Sequence, residues 1–233
     1  MRCRRIVLSV CFLVSLQAFS QNLDTRQAYW FSVSSSWLDH ADLNSALSGQ
    51  EFEPIKDQYT GLGIGWSRFG DHWGFGLSSN LYMMRRSGYL NNQPLFNQKA
   101  VNSQYYSLNG FVAYEVYRSD EGWSFYPRLN LGGGIIRLRT KELTTDFFDA
   151  VTKTGLQYGL SLHIDKLSIL PDEIDENGRE KPNKFFVLVG VSVGYTIAPA
   201  SSWEVTPFPS EQTVSMAPQG FYVSLNLGMG ERR

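Results

Sequence analysis

The chain has 233 residues, a formal net charge of −1, 18% charged and 14% aromatic residues, and two cysteines. Acids and bases are interspersed, which excludes the concentrated basic surface of a nucleic-acid-binding protein. Both cysteines, Cys3 and Cys11, lie near the N-terminus, so the rest of the chain offers no disulfide framework, thiolate metal site or cysteine nucleophile.

The opening stretch, MRCRRIVLSVCFLVSLQAFSQN, has a basic start at Arg2, Arg4 and Arg5, an apolar run from Ile6 to Leu16, and small residues at Ala18 and Ser20. This is the layout of a secretory leader, with cleavage expected after Ser20. The run falls short of the ~20 residues a spanning helix needs. Residues 1–20 are therefore read as a signal peptide and 21–233 as one domain. Losing the three arginines leaves a more acidic mature chain, and nothing downstream reaches ~18 consecutive apolar residues, so helical membrane spans are excluded.

The mature chain reads as eight strands separated by turns, with no amphipathic helix longer than two turns. Ala28 to Leu38 is the first segment. In the second, Gln58 to Gly70, Leu62, Ile64 and Trp66 oppose Gly61, Gly63, Gly65 and Ser67. His72 to Leu90 is third, and Ser103 to Arg118 is fourth. Trp123 to Thr140 is fifth. In the sixth, Thr154 to Asp165, Leu156, Tyr158, Leu160, Leu162 and Ile164 oppose Gly155, Gln157, Gly159, Ser161 and His163. Lys184 to Ile197 is seventh. The eighth begins at Phe221, where Phe221, Val223, Leu225, Leu227 and Met229 alternate with small or polar residues. A period of two marks strands with unlike faces.

The faces are unlike in an informative way. A soluble sandwich packs its apolar faces together and turns Lys, Glu, Asp and Arg to water. Here the polar faces carry mostly Gly, Ser, Asn and Gln, residues suited to a crowded interior, while Lys and Glu gather in the connections. The apolar bands run about five alternate positions, near the ~9–11 residues with which a tilted strand crosses a bilayer. Trp66, Trp73, Trp123, Trp37 and Tyr89 stand at strand ends, as in interfacial girdles. Long connections (39–57, 91–102, 141–153, 198–218) alternate with shorter ones, and the stretch at 171–183 reads as an extended hairpin standing off the membrane. The fold expected is all-β, an eight-stranded antiparallel up-and-down transmembrane β-barrel.

With that pattern the chain resembles the small outer-membrane β-barrel families of Gram-negative bacteria. It is similar to the eight-stranded type exemplified by OmpX and the OmpA membrane domain, and to the PorT-like barrels of Bacteroidota. The resemblance spans about residues 27–230 and implies an outer-membrane location. Through the PorT-like likeness it also implies a place beside a larger transport or secretion complex. One departure is the end of the chain, Glu231-Arg232-Arg233, where many such barrels finish on an aromatic residue.

An eight-stranded barrel is filled by its own side chains. Parity turns Glu115, Arg128, His163 and Asp165 inward, and charges there must pair, so a lumen network centred on Arg128 and Glu115 is expected, with His163 or Asp165 joining. A basic group, Arg85, Arg86, Arg137, Arg139, Lys141 and Lys153, falls at the long-loop rim, with Arg137 and Arg139 on the lipid-side parity. These residues are candidates for lipopolysaccharide phosphates, against the reading of a solvated rim. The loop APASSWEVTPFPSEQTVSMAP carries Trp203 and Phe208, which suggest either a partner-binding surface or a lid over the barrel mouth.

Catalysis has little to draw on. The histidines are His40, His72 and His163, and only His40, beside Asp39 in the first long loop, is a candidate for an external base. A deacylase of the PagL type carries His-x-Ser on a late strand; here LHID puts Asp165 in the serine's place. No nucleophile-elbow, paired-histidine or phosphate-loop motif occurs, and no cofactor or metal is expected. The expectation is a non-enzymatic envelope scaffold that contacts outer-membrane lipids, lipopolysaccharide and a protein partner, with no nucleic acid. A lipid A-modifying barrel enzyme and a secreted lipocalin-like ligand-binding barrel are the alternatives.

Overall fold

Each of the eight alternating segments forms a strand. The computed structural model describes residues 25–48, 54–55, 57–84, 99–142, 148–174, 180–199, 201, 203–205 and 214–232. The barrel strands are β1 (Arg26–Leu38), β2 (Gln58–Phe69), β3 (Trp73–Met84), β4 (Lys99–Tyr114), β5 (Trp123–Glu142), β6 (Phe148–Ile169), β7 (Phe185–Ile197) and β8 (Gly220–Arg232). Residues 1–24, which include the expected leader, and Arg85, Arg86, Tyr89 and Phe208 lie outside the described residues.

Consecutive strands pair antiparallel, and β1 pairs β8 from Arg26↔Arg232 to Leu38↔Gly220. With β4 joined to β5 from Ala113↔Arg128 to Lys99↔Glu142, the ring is complete. Closure removes the open edges an isolated sheet would present. The strand ends divide between two rims. One, the terminal rim, holds Arg26, Arg232 and the links at 70–72, 115–122 and 170–184. The other, the crown, holds the C-terminal ends of β1, β3, β5 and β7.

The apolar faces are on the outside. Leu131, Leu108 and Leu160 are each about two-thirds exposed, at 66%, 64% and 64%, while Ser32, Ser34, Ser78, Ser161, Ser192 and Ser224 are buried inside the ring. No second layer covers the outer face among the described residues, so this wall is built for lipid. Aromatic rings border the apolar belt. At the terminal rim Trp73 meets Tyr114 edge-on at 5.0 Å and Trp66 meets Phe75 at 5.8 Å. At the crown side Tyr195 meets Phe221 at 4.6 Å, with Trp37 exposed on β1. The turn before β5 closes through Gly122, whose φ of 89° is in the left-handed region, and the Gly122 carbonyl accepts from the Leu167 amide at 2.8 Å. A Cβ at Gly122 would collide with the Leu167 carbonyl, so glycine is required there.

Two connections differ from the sequence expectation. Residues 141–153 were expected as a loop, but β5 runs to Glu142 and β6 begins at Phe148, paired through Lys141↔Phe148. Hydrogen-bonded pairing continues past the belt although the apolar alternation stops, because Arg137, Arg139 and Thr152 take the outward positions. The result is a β4–β6 extension standing above the crown rim. In the first long connection a helix, α1 (Ala41–Ser48), begins where the Asp39 carboxylate accepts from the Ala41 amide at 3.0 Å. The stretch at 171–183 does hold a small hairpin, pairing Glu173–Ile174 with Glu180–Lys181.

Candidate functional site

The lumen is filled in layers. At the terminal rim the Glu115 carboxylate receives Arg26 Nη2 at 2.6 Å and Arg118 Nη2 at 2.6 Å, and also accepts from the Ser124 hydroxyl. Glu115 is 1% exposed, so this cluster neutralises a charge that could not stand there alone. Above it, the Tyr126 hydroxyl donates to Asp165 Oδ2 at 2.5 Å, and the Tyr126 ring stacks on His163 with centroids 4.9 Å apart. His163 Nε2 lies 3.1 Å from the Ser161 hydroxyl.

Arg128 occupies the next layer. Its Nη2 donates to Ser78 at 2.9 Å and its Nε to Asn130 at 2.5 Å, and the guanidinium lies 3.7 Å from the centre of the Phe111 ring. Asn109, Gln157 and Tyr105 continue the chain of hydrogen bonds toward the crown. Cavities of about 30 and 60 Å³ remain between these layers, room for a few water-sized molecules only.

The four inward residues named from parity are all buried, but Arg128 and Glu115 do not meet. Arg128 pairs across to Ala113, two residues short of Glu115, which lies past the end of β4 where Arg26 of β1 reaches it. Arg26 was missed because the first segment was taken to begin at Ala28. Its parity with Ser32, Ser34 and Ser36 was the available signal.

A lid closes the crown end. From α1, Leu43 is fully buried, and Asn44 holds Ile55 beneath it by accepting from the Ile55 amide at 2.6 Å and donating to the Ile55 carbonyl at 3.0 Å. From the connection after β7, Trp203 and Met216 pack against Tyr82, Tyr105, Ile136 and Leu138 in one apolar cluster. Trp203 Nε1 donates to the Leu156 carbonyl at 3.0 Å, and its indole lies against Gly155, where a Cβ would collide with it, and beside Gly134. Trp203 is 0% exposed. The expectation that it lines a partner-binding surface is therefore corrected: its ring is core to the lid, because the apolar side chain finds Tyr105 and the two glycines before it finds solvent.

His40 is buried under the same lid. Its Nε2 is 2.6 Å from the Tyr59 hydroxyl, which donates to Ser103 at 3.1 Å. Burial lowers the imidazole to a pKa of about 4, against the opposing pull of Asp39. A serine hydrolase needs its base on the nucleophile itself; here a phenol stands between His40 and Ser103. The ring of His72, at the other rim, places Nδ1 3.1 Å from the Glu115 carbonyl.

The crown's basic residues separate by parity. Arg137 and Arg139 point outward above Ile135, whereas Lys153 pairs with Ile136 and shares the inner parity of Gly155, on the lid side. Lys153, named as a lipopolysaccharide candidate at the rim, therefore lies on the inner parity, unlike Arg137 and Arg139. Lys141 has the outward register, with its side chain outside the described residues, as is Arg85.

No protein-family model matches the chain, and no curated protein matches it. Solved structures do. The attachment invasion locus protein Ail of Yersinia pestis, in complex with the heparin analogue sucrose octasulfate, is 15% identical with a TM-score of 0.44, over 91% of this chain and 100% of that one. Neisserial surface protein A is 11% identical with a TM-score of 0.42, over 90% and 97%. A major outer membrane protein from Thermus thermophilus is 10% identical with a TM-score of 0.44, over 88% and 99%. At these identities and scores the likeness concerns architecture only. The chain is a small eight-stranded membrane-type β-barrel, and the chemistry assigned to it comes from its own residues.

Proposed function

We propose that this protein is exported by its leader, cleaved after Ser20, and inserted in the outer membrane of a Gram-negative cell with its crown outward. There it acts as a non-enzymatic scaffold or docking component, accessory to a larger transport or secretion complex. The observation that carries this reading is the occluded lumen. Among the described residues, a barrel packed with its own charged layers and capped by Trp203 and Leu43 leaves no route for solutes, so its useful surface is the crown. The β4–β6 extension presents Asn102, Arg139 and Thr152 outward, exposed and free of the lid. Arg137 and Arg139 stand where the headgroups of lipopolysaccharide would lie, and their guanidinium groups suit phosphate. The loops at 39–57 and 198–218 contribute the rest of the contact surface.

Photo-crosslinking residues placed at Asn102, Arg139 and Thr152 in living cells test the docking role. The expected result is a discrete crosslinked adduct at the crown and none from Tyr117 at the terminal rim, together with an absence of steady conductance in planar bilayers. Sustained single-channel conductance, or crown positions that crosslink to nothing, overturns the reading.

A further inference from the structure

The outer wall is not uniformly padded. On β7 and β8 the outward positions Val187, Val189, Val191 and Val193, and Val223, Leu225, Leu227 and Met229, carry large side chains at every rung. Across β2 to β6 one rung runs Ile64↔Ser79↔Leu108↔Gly133↔Leu156. Two of its five outward positions are Ser and Gly, set between Ile64, Leu108 and Leu156, which are 65%, 64% and 67% exposed. The wall dips there. A groove of about 730 Å³ runs from Leu227 and Met229 of β8 across β1 and β2 to β4, with Ile64, Leu77 and Leu108 in its walls, and one of about 410 Å³ lies over β3–β6, with Tyr106, Gly133 and Ile135. Ser79 and Leu108 line both grooves.

The crown-side end of this depression is cationic. Arg137 is four residues above Gly133 on the same face of β5, roughly 13 Å along the strand at ~3.3 Å per residue. Arg139 follows two residues on. Their outward neighbours across the rungs are Gln104, Asn102 and Thr152, which are polar, and the small Ala150 beside Arg139. The Arg137 Nε is buried and finds no hydrogen-bond partner among the described residues. An apolar depression ending beneath two arginines and a set of amide and hydroxyl groups matches a lipid with both acyl chains and phosphate. Two cations about 7 Å apart along the strand, set among sugar-compatible donors and acceptors, fit a phosphorylated disaccharide better than a single phosphodiester.

We propose that the outer wall over β3–β6 is a lipid A binding site, with an acyl chain seated in the Ser79–Leu108–Gly133 depression and a phosphate held by Arg137 and Arg139. The inference rests on the reading above that Arg137 and Arg139 face lipopolysaccharide phosphates, and it adds the chain site and its position. The phosphate contributes charge-assisted hydrogen bonds that weaken with salt. The groove contributes contact that a flat wall cannot make.

Native mass spectrometry of the detergent-solubilised barrel tests it, with hexa-acylated lipid A, its fully deacylated disaccharide and phosphatidylglycerol as probes. Wild type should retain lipid A about tenfold more strongly than either other probe, the order of one charge-assisted contact or more. Ser79→Phe fills the depression, and Leu108→Trp narrows it from the next strand. Each should cut lipid A retention about tenfold, while Val191→Phe on the flat wall leaves it unchanged. Heat-modifiable migration reports that each variant is folded. If Ser79→Phe and Leu108→Trp both fold and hold lipid A like wild type while Arg137→Gln/Arg139→Gln loses it, the groove is refuted and the phosphate reading stands. If the double arginine variant holds lipid A like wild type, the phosphate reading itself fails. Equal retention of phosphatidylglycerol overturns the assignment to lipid A.

Discussion

Replacing Glu115 with glutamine removes the one carboxylate that faces both Arg26 and Arg118 at the terminal rim. Arg26 is 8% exposed and has its Nη2 2.6 Å from Glu115 Oε1. Breaking a buried pair by neutralising one member leaves an uncompensated charge and costs about 3–5 kcal/mol. The Arg118 side chain is 34% exposed, so it returns to water, and Arg118→Gln should cost no more than about 1 kcal/mol. The contrast between the two arginines is the useful part. Arg26→Met combined with Glu115→Gln removes both buried charges, and the double variant should regain at least about 2 kcal/mol over the sum of the single losses. Equilibrium urea unfolding of the vesicle-inserted barrel, followed by heat-modifiable migration, measures all four corners of the cycle. A loss below about 1 kcal/mol for Glu115→Gln, or equal losses for Arg26→Met and Arg118→Gln, would refute the claim that a buried Arg26–Glu115 pair organises this end of the lumen.

Three further outcomes are expected. Trp203→Ala removes a fully buried indole from the lid and should destabilise that lid by about 3–5 kcal/mol, seen as faster amide exchange in α1 with the strands still protected. His40 has a folded pKa of about 4 against 6.5 when free. The unfolded segment therefore takes up a proton that the closed lid refuses: lid stability is full above about pH 6.5, falls as pH drops toward 4, and levels off after losing about 3 kcal/mol. Exchange in α1, corrected for its intrinsic pH dependence, should show that slope in wild type and lose it in His40→Gln. Leu131→Arg, at a mid-belt position, should destabilise the inserted barrel by about 2–4 kcal/mol, where the same change on a water-facing surface stays within about 0.5 kcal/mol.

The barrel was legible because its strands carry two faces of different chemistry. Val187, Val189, Val191 and Val193 against Leu188, Gly190, Ser192 and Gly194 state the register without help from any other segment. What escaped, or was left open as the lid was among two alternatives for 198–218, was set by features without a period. The lid is built from single residues, Leu43, Ile55, Trp203 and Met216, scattered over two connections, and no local pattern says that they meet. The extension of β5 and β6 escaped for the opposite reason: pairing persists where the outward positions turn polar at Arg137 and Arg139, so the cue used to find strands ends before the strands do. Arg26 was hidden by standing one alternation ahead of the first recognised segment. Glu115, Arg128, His163 and Asp165 were correctly turned inward by parity, but which of them pair depends on height in the barrel, which parity does not encode.

The most direct test of the account places a nitroxide on single cysteines introduced at Leu108, Leu131, Leu160 and Val191 in the belt, and at Asn102 and Arg139 above it, in a background where Cys3 and Cys11 are replaced by serine. In lipid vesicles, molecular oxygen should relax the four belt labels far more than a water-soluble nickel complex does, and the order should reverse at Asn102 and Arg139. Nickel reaching all six labels alike, or none of the four belt positions responding to oxygen, would mean that the apolar wall does not meet lipid.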